Sequence, residues 1–170
     1  MNRNLVSLLT YTAALSQLNS LPQSLIQQMF ALPGVRICDL KLIDLVLPAN
    51  QCNGIYFFVS PNDDVVYVGK ASSRSFVERL GGHFDLRAGN WFSSFIRAHA
   101  RVINNVVGDL SSRDYEKSYN DTLDYRLKIL AIDVPVNTLN SATLKQTISL
   151  LERLFIKHYK AQAGITVLNR

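Results

Sequence analysis

The sequence predicts an α/β (α+β) fold in which a small three-stranded antiparallel sheet is flanked by helices and preceded by an N-terminal helical extension. Three observations carry this. GIYFFVSPNDDVVYVGK (54–70) is two strand-like runs joined by a Ser-Pro-Asn-Asp turn. RLKILAID (126–133) is a third, partly alternating apolar run. Over 142–160, Leu144, Ile148, Leu151, Phe155 and Tyr159 recur at helical spacing.

The bulk composition narrows the class. A chain of 170 residues that is 48% hydrophobic and 18% charged is a folded globular protein rather than a disordered one. At this length roughly 70% of the unfolded surface is buried, so one core suffices without metal or disulfide staples. Two cysteines, Cys38 and Cys52, are too few for a disulfide framework and read as buried thiols of a reducing, cytoplasmic compartment. No apolar stretch is long enough to span a membrane, and a membrane partner is not expected. The net charge of +5 is compatible with a polyanionic partner such as nucleic acid, and does not by itself require one.

Taken in order, residues 1–50 read as the helical extension. Leu5, Leu8, Leu9 and Leu15 fall at helical spacing, and Ser7, Thr10 and Thr12 interrupt the apolar run too often for a secretion leader. Pro22 opens a second helix to about Leu32, Pro33-Gly34 breaks it, and a third helix covers about 37–46. Residues 51–170 form the main domain. Its hairpin predicts a type I turn with Pro61 at i+1; a two-residue closure then sets Tyr56 opposite Tyr67 on one face, whereas an odd loop sends the two rings to opposite faces. Ser72-Ser73 caps a short helix that Gly81-Gly82 stops. Another helix covers 91–106. The polar, tyrosine-rich stretch 108–125 has no clear period and reads as a surface insert. The third strand follows, and Asn140-Ser141 starts the last helix.

Four side chains invite a chemical reading. Two phenols on one sheet face serve packing or chemistry equally well. Glu152 sits at the margin of the last helix's apolar stripe, where a carboxylate wants a cation, either an arginine or a Mg2+ ion. Arg79, three residues after Phe76, presents a fork that matches two phosphate oxygens.

Gly54-Ile55-Tyr56, ten residues, Tyr67-Val68-Gly69 and then Lys70 resemble the signature of the GIY-YIG nuclease superfamily. YVGKASSRSFVERLGGHF is similar to the N-terminal nuclease domain of the excision-repair protein UvrC, and the Arg79–His83 spacing is similar to that of GIY-YIG restriction endonucleases. LLERLFIKHYK and VLNR place a glutamate and an asparagine where the family has them. The resemblance is strong over about 54–84 and weaker over 126–170; residues 1–53 and 108–125 lie outside it. It implies a Mg2+-dependent (or Mn2+-dependent) endonuclease acting on phosphodiester bonds of DNA. Tyr56 would be the general base and Tyr67 its assistant. Arg79 would stabilise charge on the phosphate, and Glu152 would hold one metal ion. Lys70, His83 and Asn169 would contact phosphate or handle protons. Double-strand cutting would call for a homodimer. The competing readings are a non-cleaving nucleic-acid-binding module on the same fold, an RNA-cleaving or toxin variant, and a structural protein with a chance motif.

Overall fold

Strand β5 (Arg126–Asp133) has six consecutive buried residues, Leu127 to Ile132, the mark of a strand covered on both faces. The rest of the sheet is built outward from it. The computed structural model describes residues 4–16, 23–87, 93–139, 141–162 and 166–169. Among these, five strands form one mixed sheet in the order β1-β5-β3-β4, with the short β2 also paired to β5. β3 (Gly54–Val59) lies antiparallel to β5, with Gly54 opposite Ala131 and Phe58 opposite Leu127. β4 (Val65–Ala71) lies antiparallel outside β3. On the other edge of β5, β1 (Val6–Thr10) runs parallel, and β2 (Val35–Arg36) pairs antiparallel at Leu127 and Arg126.

This corrects the expected three-stranded antiparallel sheet with an N-terminal helical extension. VSLLT is a strand, and the segment before residue 50 completes the sheet rather than preceding it. A five-residue apolar run satisfies either period, and pairing with β5 decides it. The helices α1 (Tyr11–Ser16) and α2 (Gln23–Ala31) follow. Pro22, Asn140 and residues 91–92, read above as helix-start positions, lie outside the described residues. The helix expected over 37–46 is instead two 3-10 turns, Ile37–Asp39 and Leu42–Leu45. Cys38 is exposed and Cys52 half-buried, so the expectation of buried thiols fails.

Three further helices build the site side. α3 (Phe76–His83) is capped by Ser75, not Ser72-Ser73: Glu78 N–H donates to the Ser75 hydroxyl, and Ser75 N–H donates to the Glu78 carboxylate at 2.8 Å. The helix runs through Gly81-Gly82, which sets Arg79 and His83 one turn apart on it. α4 spans Ser94–Val102. The expected surface insert contains α5 (Ser112–Asp121), with its own capping box between Ser111 and Asp114 and with Tyr115 buried. On the last helix, α6 (Ala142–Lys160), Ser141 accepts from Leu144 N–H. One face of the sheet packs with α3, α4 and α5 through Tyr56, Phe58, Tyr67, Leu80 and Phe95. The other packs with α1, α2 and α6 through Ile55, Phe57, Val68, Ile148 and Phe155. Among the described residues, no helix is long and apolar enough to cross a membrane.

Candidate functional site

The hairpin places the two tyrosines by a different route from the one its sequence suggests. Asp63 N–H donates to the Ser60 carbonyl (3.1 Å) and Ser60 N–H to the Asp64 carbonyl (2.8 Å), so the loop closes over three residues. Asp63 adopts the left-handed conformation, with φ 69°. An odd loop alone would separate the rings. A register shift between Phe58 and Val59 inserts Val66 as an extra residue and restores the parity. Tyr67 therefore faces Phe58, Tyr56 faces Gly69, and both phenols lie on the α3–α4 face, their rings stacked with centroids 6.4 Å apart. The expected Tyr56–Tyr67 cross-strand pairing is replaced by a diagonal one. The same shift moves Val66, and not Val65, onto the tyrosine face.

The two outer glycines are explained by close packing inside the protein. A Cβ on Gly69 would lie 2.2 Å from Cζ of Tyr56, so the Tyr56 ring is laid across that position. A Cβ on Gly54 would lie 2.1 Å from the Leu130 carbonyl oxygen, so this glycine lets β3 approach β5.

Around the phenols the structure builds a buried hydrogen-bonded chain. Tyr56 is 0% exposed, and its hydroxyl lies 2.5 Å from Nε2 of His83, which is also 0% exposed. Phe95 N–H donates to His83 Nδ1 at 3.2 Å. Nδ1 thus acts as the acceptor, which assigns the proton of the neutral ring to Nε2, and Nε2–H donates to the Tyr56 oxygen. Burial, and then the positive charge of Arg79, hold the His83 pKa down to about 3. His83 is therefore a neutral brace under Tyr56. This corrects its expected role as a phosphate contact, because it has no exposed surface to offer one. Tyr67 bonds to the Ser94 hydroxyl at 3.0 Å.

Burial pushes Tyr56 well above the usual phenol range, and the neighbouring Tyr67 adds to this; Arg79 pulls in the opposite direction. Burial likewise raises Tyr67, while the Ser94 hydrogen bond and Arg79 lower it. The charge of Glu152 is near enough to raise both phenols. Tyr56, Tyr67, Arg79 and Glu152 thus form one electrostatic group although they come from β3, β4, α3 and α6.

Glu152 reaches that group across the outer edge of β4. Lys70 follows Gly69, so its side chain leaves on the α6 side of the sheet. There its Nζ lies 2.7 Å from Glu152 Oε2. Asn169 closes the same edge: its amide accepts from Val68 N–H (2.8 Å) and donates to the Val68 carbonyl (2.6 Å), and Leu168 N–H donates to the Val66 carbonyl (2.7 Å). Asn169 was expected at a phosphate, yet both ends of its amide are engaged with strand β4. Its role is to hold the residue between Tyr67 and Gly69.

Sequence reasoning missed Ser94 and the Phe95 N–H, the partners of Tyr67 and His83. Ser93-Ser94 before an apolar run signals a helix start, but nothing local tells which hydroxyl meets β4. Among the described residues, no three or more His, Cys, Asp or Glu side chains gather as a metal cluster. Glu152 is the carboxylate whose charge acts on both phenols, and its ion-pair partner is Lys70. A single carboxylate suits Mg2+, which fills its remaining positions with water and phosphate oxygens. In comparisons with known proteins, the chain matches no family model, no curated protein and no solved structure.

Proposed function

We propose that the protein is a Mg2+-dependent endonuclease that hydrolyses phosphodiester bonds of DNA, with Tyr56 as general base. The observation that supports it is that two stacked phenols, the Arg79 guanidinium beside Tyr67 and the Glu152 carboxylate on Lys70 gather about β4 from four elements of the fold. When bound, one Mg2+ (or Mn2+) ion held by Glu152 supplies Lewis-acid polarisation of the phosphate and a positive charge that favours phenolate over phenol.

The residues of the chain do the rest. Arg79 binds the non-bridging phosphate oxygens and stabilises the charge that builds as water attacks. Tyr56 acts as the phenolate, its own proton having gone to solvent; it takes a proton from the attacking water as the oxygen–phosphorus bond forms and the bond to the leaving oxygen breaks, and the leaving oxygen takes its proton from solvent. His83 Nε2–H holds the Tyr56 oxygen in place and stabilises it as an anion, because the imidazole donates at that atom. Tyr67, fixed by Ser94, keeps the Tyr56 ring stacked over Gly69. Lys70 neutralises Glu152 in the free chain; with Glu152 holding a metal ion, its ammonium would be available to a phosphate oxygen.

Two observations favour a second reading, a non-cleaving nucleic-acid-binding module. Tyr56 is fully buried and Glu152 is already paired with Lys70. Nicking of supercoiled plasmid decides between the two. Wild type with Mg2+ or Mn2+ is expected to relax the plasmid, and Glu152→Ala to lose at least about 10²–10³ in rate while melting and binding DNA as wild type does. A wild-type assay flat on both DNA and RNA, with nucleic-acid binding retained, selects the second reading, cleavage confined to an RNA substrate selects the ribonuclease variant, and full activity in Glu152→Ala removes Glu152 from the site.

A further inference from the structure

Arg79 stands where two surface depressions meet. On one side it borders the depression formed by Lys70–Arg74. On the other it borders a groove of about 660 Å³ that starts at Tyr67 and runs along α4. Arg97 and Arg101 line that groove with Ser94 and Asn169, and its described lining holds three arginines and no carboxylate.

The arginines are placed by the helix itself. Phe95, Ile96, His99 and Ala100 turn inward and are buried, which leaves Ser94, Arg97 and Arg101 toward the groove. Arg97 and Arg101 are one turn apart, about 6 Å along the axis. Ser94, which holds Tyr67, is one turn earlier on the same side. Arg97 is half-buried: its Nε lies inside, and its side chain forms part of the groove wall. Arg101 uses one of its five donors on the Val106 carbonyl at 3.4 Å. Ala98, Val102 and Leu168 supply apolar wall between the charges.

We propose that this groove binds the DNA strand on one side of the scissile phosphate, with Arg97 and Arg101 each neutralising one flanking backbone phosphate. The proposal rests on the endonuclease reading above, since Arg79 and Tyr67 at the mouth of the groove are what make that phosphate the scissile one. The charge pattern selects this groove over the depression beside α2 and the hairpin tip, whose described lining holds Asp64 and the Arg126-paired Asp63 and no cation. Phosphate contacts of this kind set register and affinity and carry no base sequence.

The test measures binding without cleavage. A fluorescein-labelled DNA duplex is titrated with the protein in EDTA at several KCl concentrations, for wild type, Arg97→Gln/Arg101→Gln, the single Arg101→Gln, and Lys145→Gln/Lys157→Gln as a control. The control removes the same charge from exposed positions on α6. Each phosphate contact contributes about 0.9 to the slope of log affinity against log salt. The double variant is therefore expected to flatten the slope by about 1.8 and to bind roughly 60-fold more weakly at 0.1 M KCl. Arg101→Gln, at an exposed site, is expected to flatten the slope by about 0.9, and this single variant carries the test if the half-buried Arg97 position proves necessary for folding. An unchanged slope in Arg101→Gln, or an equal loss in the α6 control, overturns the groove. Tighter binding of an RNA duplex of the same sequence, with the same arginine dependence, overturns DNA as the occupant. Plasmid nicking separates the two claims: a flattened slope with no nicking by wild type leaves the groove standing and removes the nuclease, whereas nicking with an unchanged slope does the reverse.

Discussion

The two faces of the sheet are built from alternate residues of the same hairpin, and they bury different chemistry. Phe57 packs edge-on to Phe155, ring centroids 4.9 Å apart, in a mostly aliphatic and aromatic cluster that includes the Met29 thioether and the phenol of Tyr159. The buried charge on that side, Lys128, donates to the Met29 and Phe30 carbonyls at the end of α2, a structural use of a cation at a helix C-terminus. Tyr56, one residue before Phe57, is buried as deeply but brings a hydroxyl, and around it lie an imidazole, a second phenol and a serine hydroxyl. Burying those atoms is unfavourable unless each finds a partner. The α3–α4 face meets the requirement with a chain that runs from Phe95 N–H through His83 to Tyr56. Packing alone explains the first face; on the second, the polar atoms are held in fixed orientations that packing does not require.

The largest expected effects divide the faces. Phe57→Ala leaves a cavity against Phe155 and is expected to destabilise the fold by about 3–5 kcal/mol, with cleavage per folded molecule unchanged. Tyr56→Phe keeps the ring over Gly69 and removes one oxygen. It leaves His83 Nε2–H without its acceptor, a destabilisation of about 1–3 kcal/mol, and is expected to lose on the order of 10²–10⁴ in nicking rate. Urea melts and plasmid nicking on the two variants check this. Equal losses of activity per folded molecule would erase the distinction between the faces.

How much of this could be read from sequence follows the same divide. β5 and α6 fall where their patterns predict because each is long and periodic. β1 did not, since VSLLT becomes a strand only through its parallel pairing with β5, a contact more than a hundred residues away. α5 is polar almost throughout, but its Ser111-x-x-Asp114 capping box and the Tyr115–Tyr119 spacing were visible signals of a helix. At the candidate site, Tyr56, Tyr67, Arg79 and Glu152 were singled out by motif. The bulge that puts the tyrosines on one face was not, because an inserted Val66 looks like any strand valine. The partners Ser94 and Phe95 arrive from a separate helix, so local sequence carries no trace of the pairing.

A second difference between the faces is their response to acid. His83 has a folded pKa of about 3 against an ordinary value of 6.5, so between these values the unfolded chain binds a proton that the folded chain does not. The sign follows: stability falls as pH drops from about 6.5 toward 3, by at most about 1.4 kcal/mol per pH unit from this residue. Among the described residues the buried histidines, His83 and His99, both belong to the α3–α4 side. His83→Gln removes the titration, and its urea midpoint is expected to fall less steeply than that of wild type between pH 6.5 and 4. An acid slope identical to wild type would assign the sensitivity to other groups, the buried His99 or the carboxylates.

The smallest effect belongs to Asn169, at the edge where the faces meet. Val68 points into the α6-side core, while its neighbours Tyr67 and Gly69 belong to the phenol side. Asn169 presents an acceptor and a donor to the Val68 N–H and carbonyl, as a neighbouring strand would, and covers an edge that would otherwise stay open. Each such bond contributes about 1 kcal/mol net, and the site is half-buried, so Asn169→Ala is expected to destabilise by about 1–2 kcal/mol. Asn169→Asp keeps the acceptor for Val68 N–H but sets a carboxylate against the Val68 carbonyl, and is expected to be at least as harmful as Ala. The measurement that isolates the clip is hydrogen exchange at the Val68 amide, which should quicken in both variants while the Phe57 amide, inside the sheet between β4 and β5, stays protected. If Val68 exchange is unchanged, the tail does not hold β4, and the stacking of Tyr67 on Tyr56 rests on Ser94 and the Phe58–Phe95 stack alone.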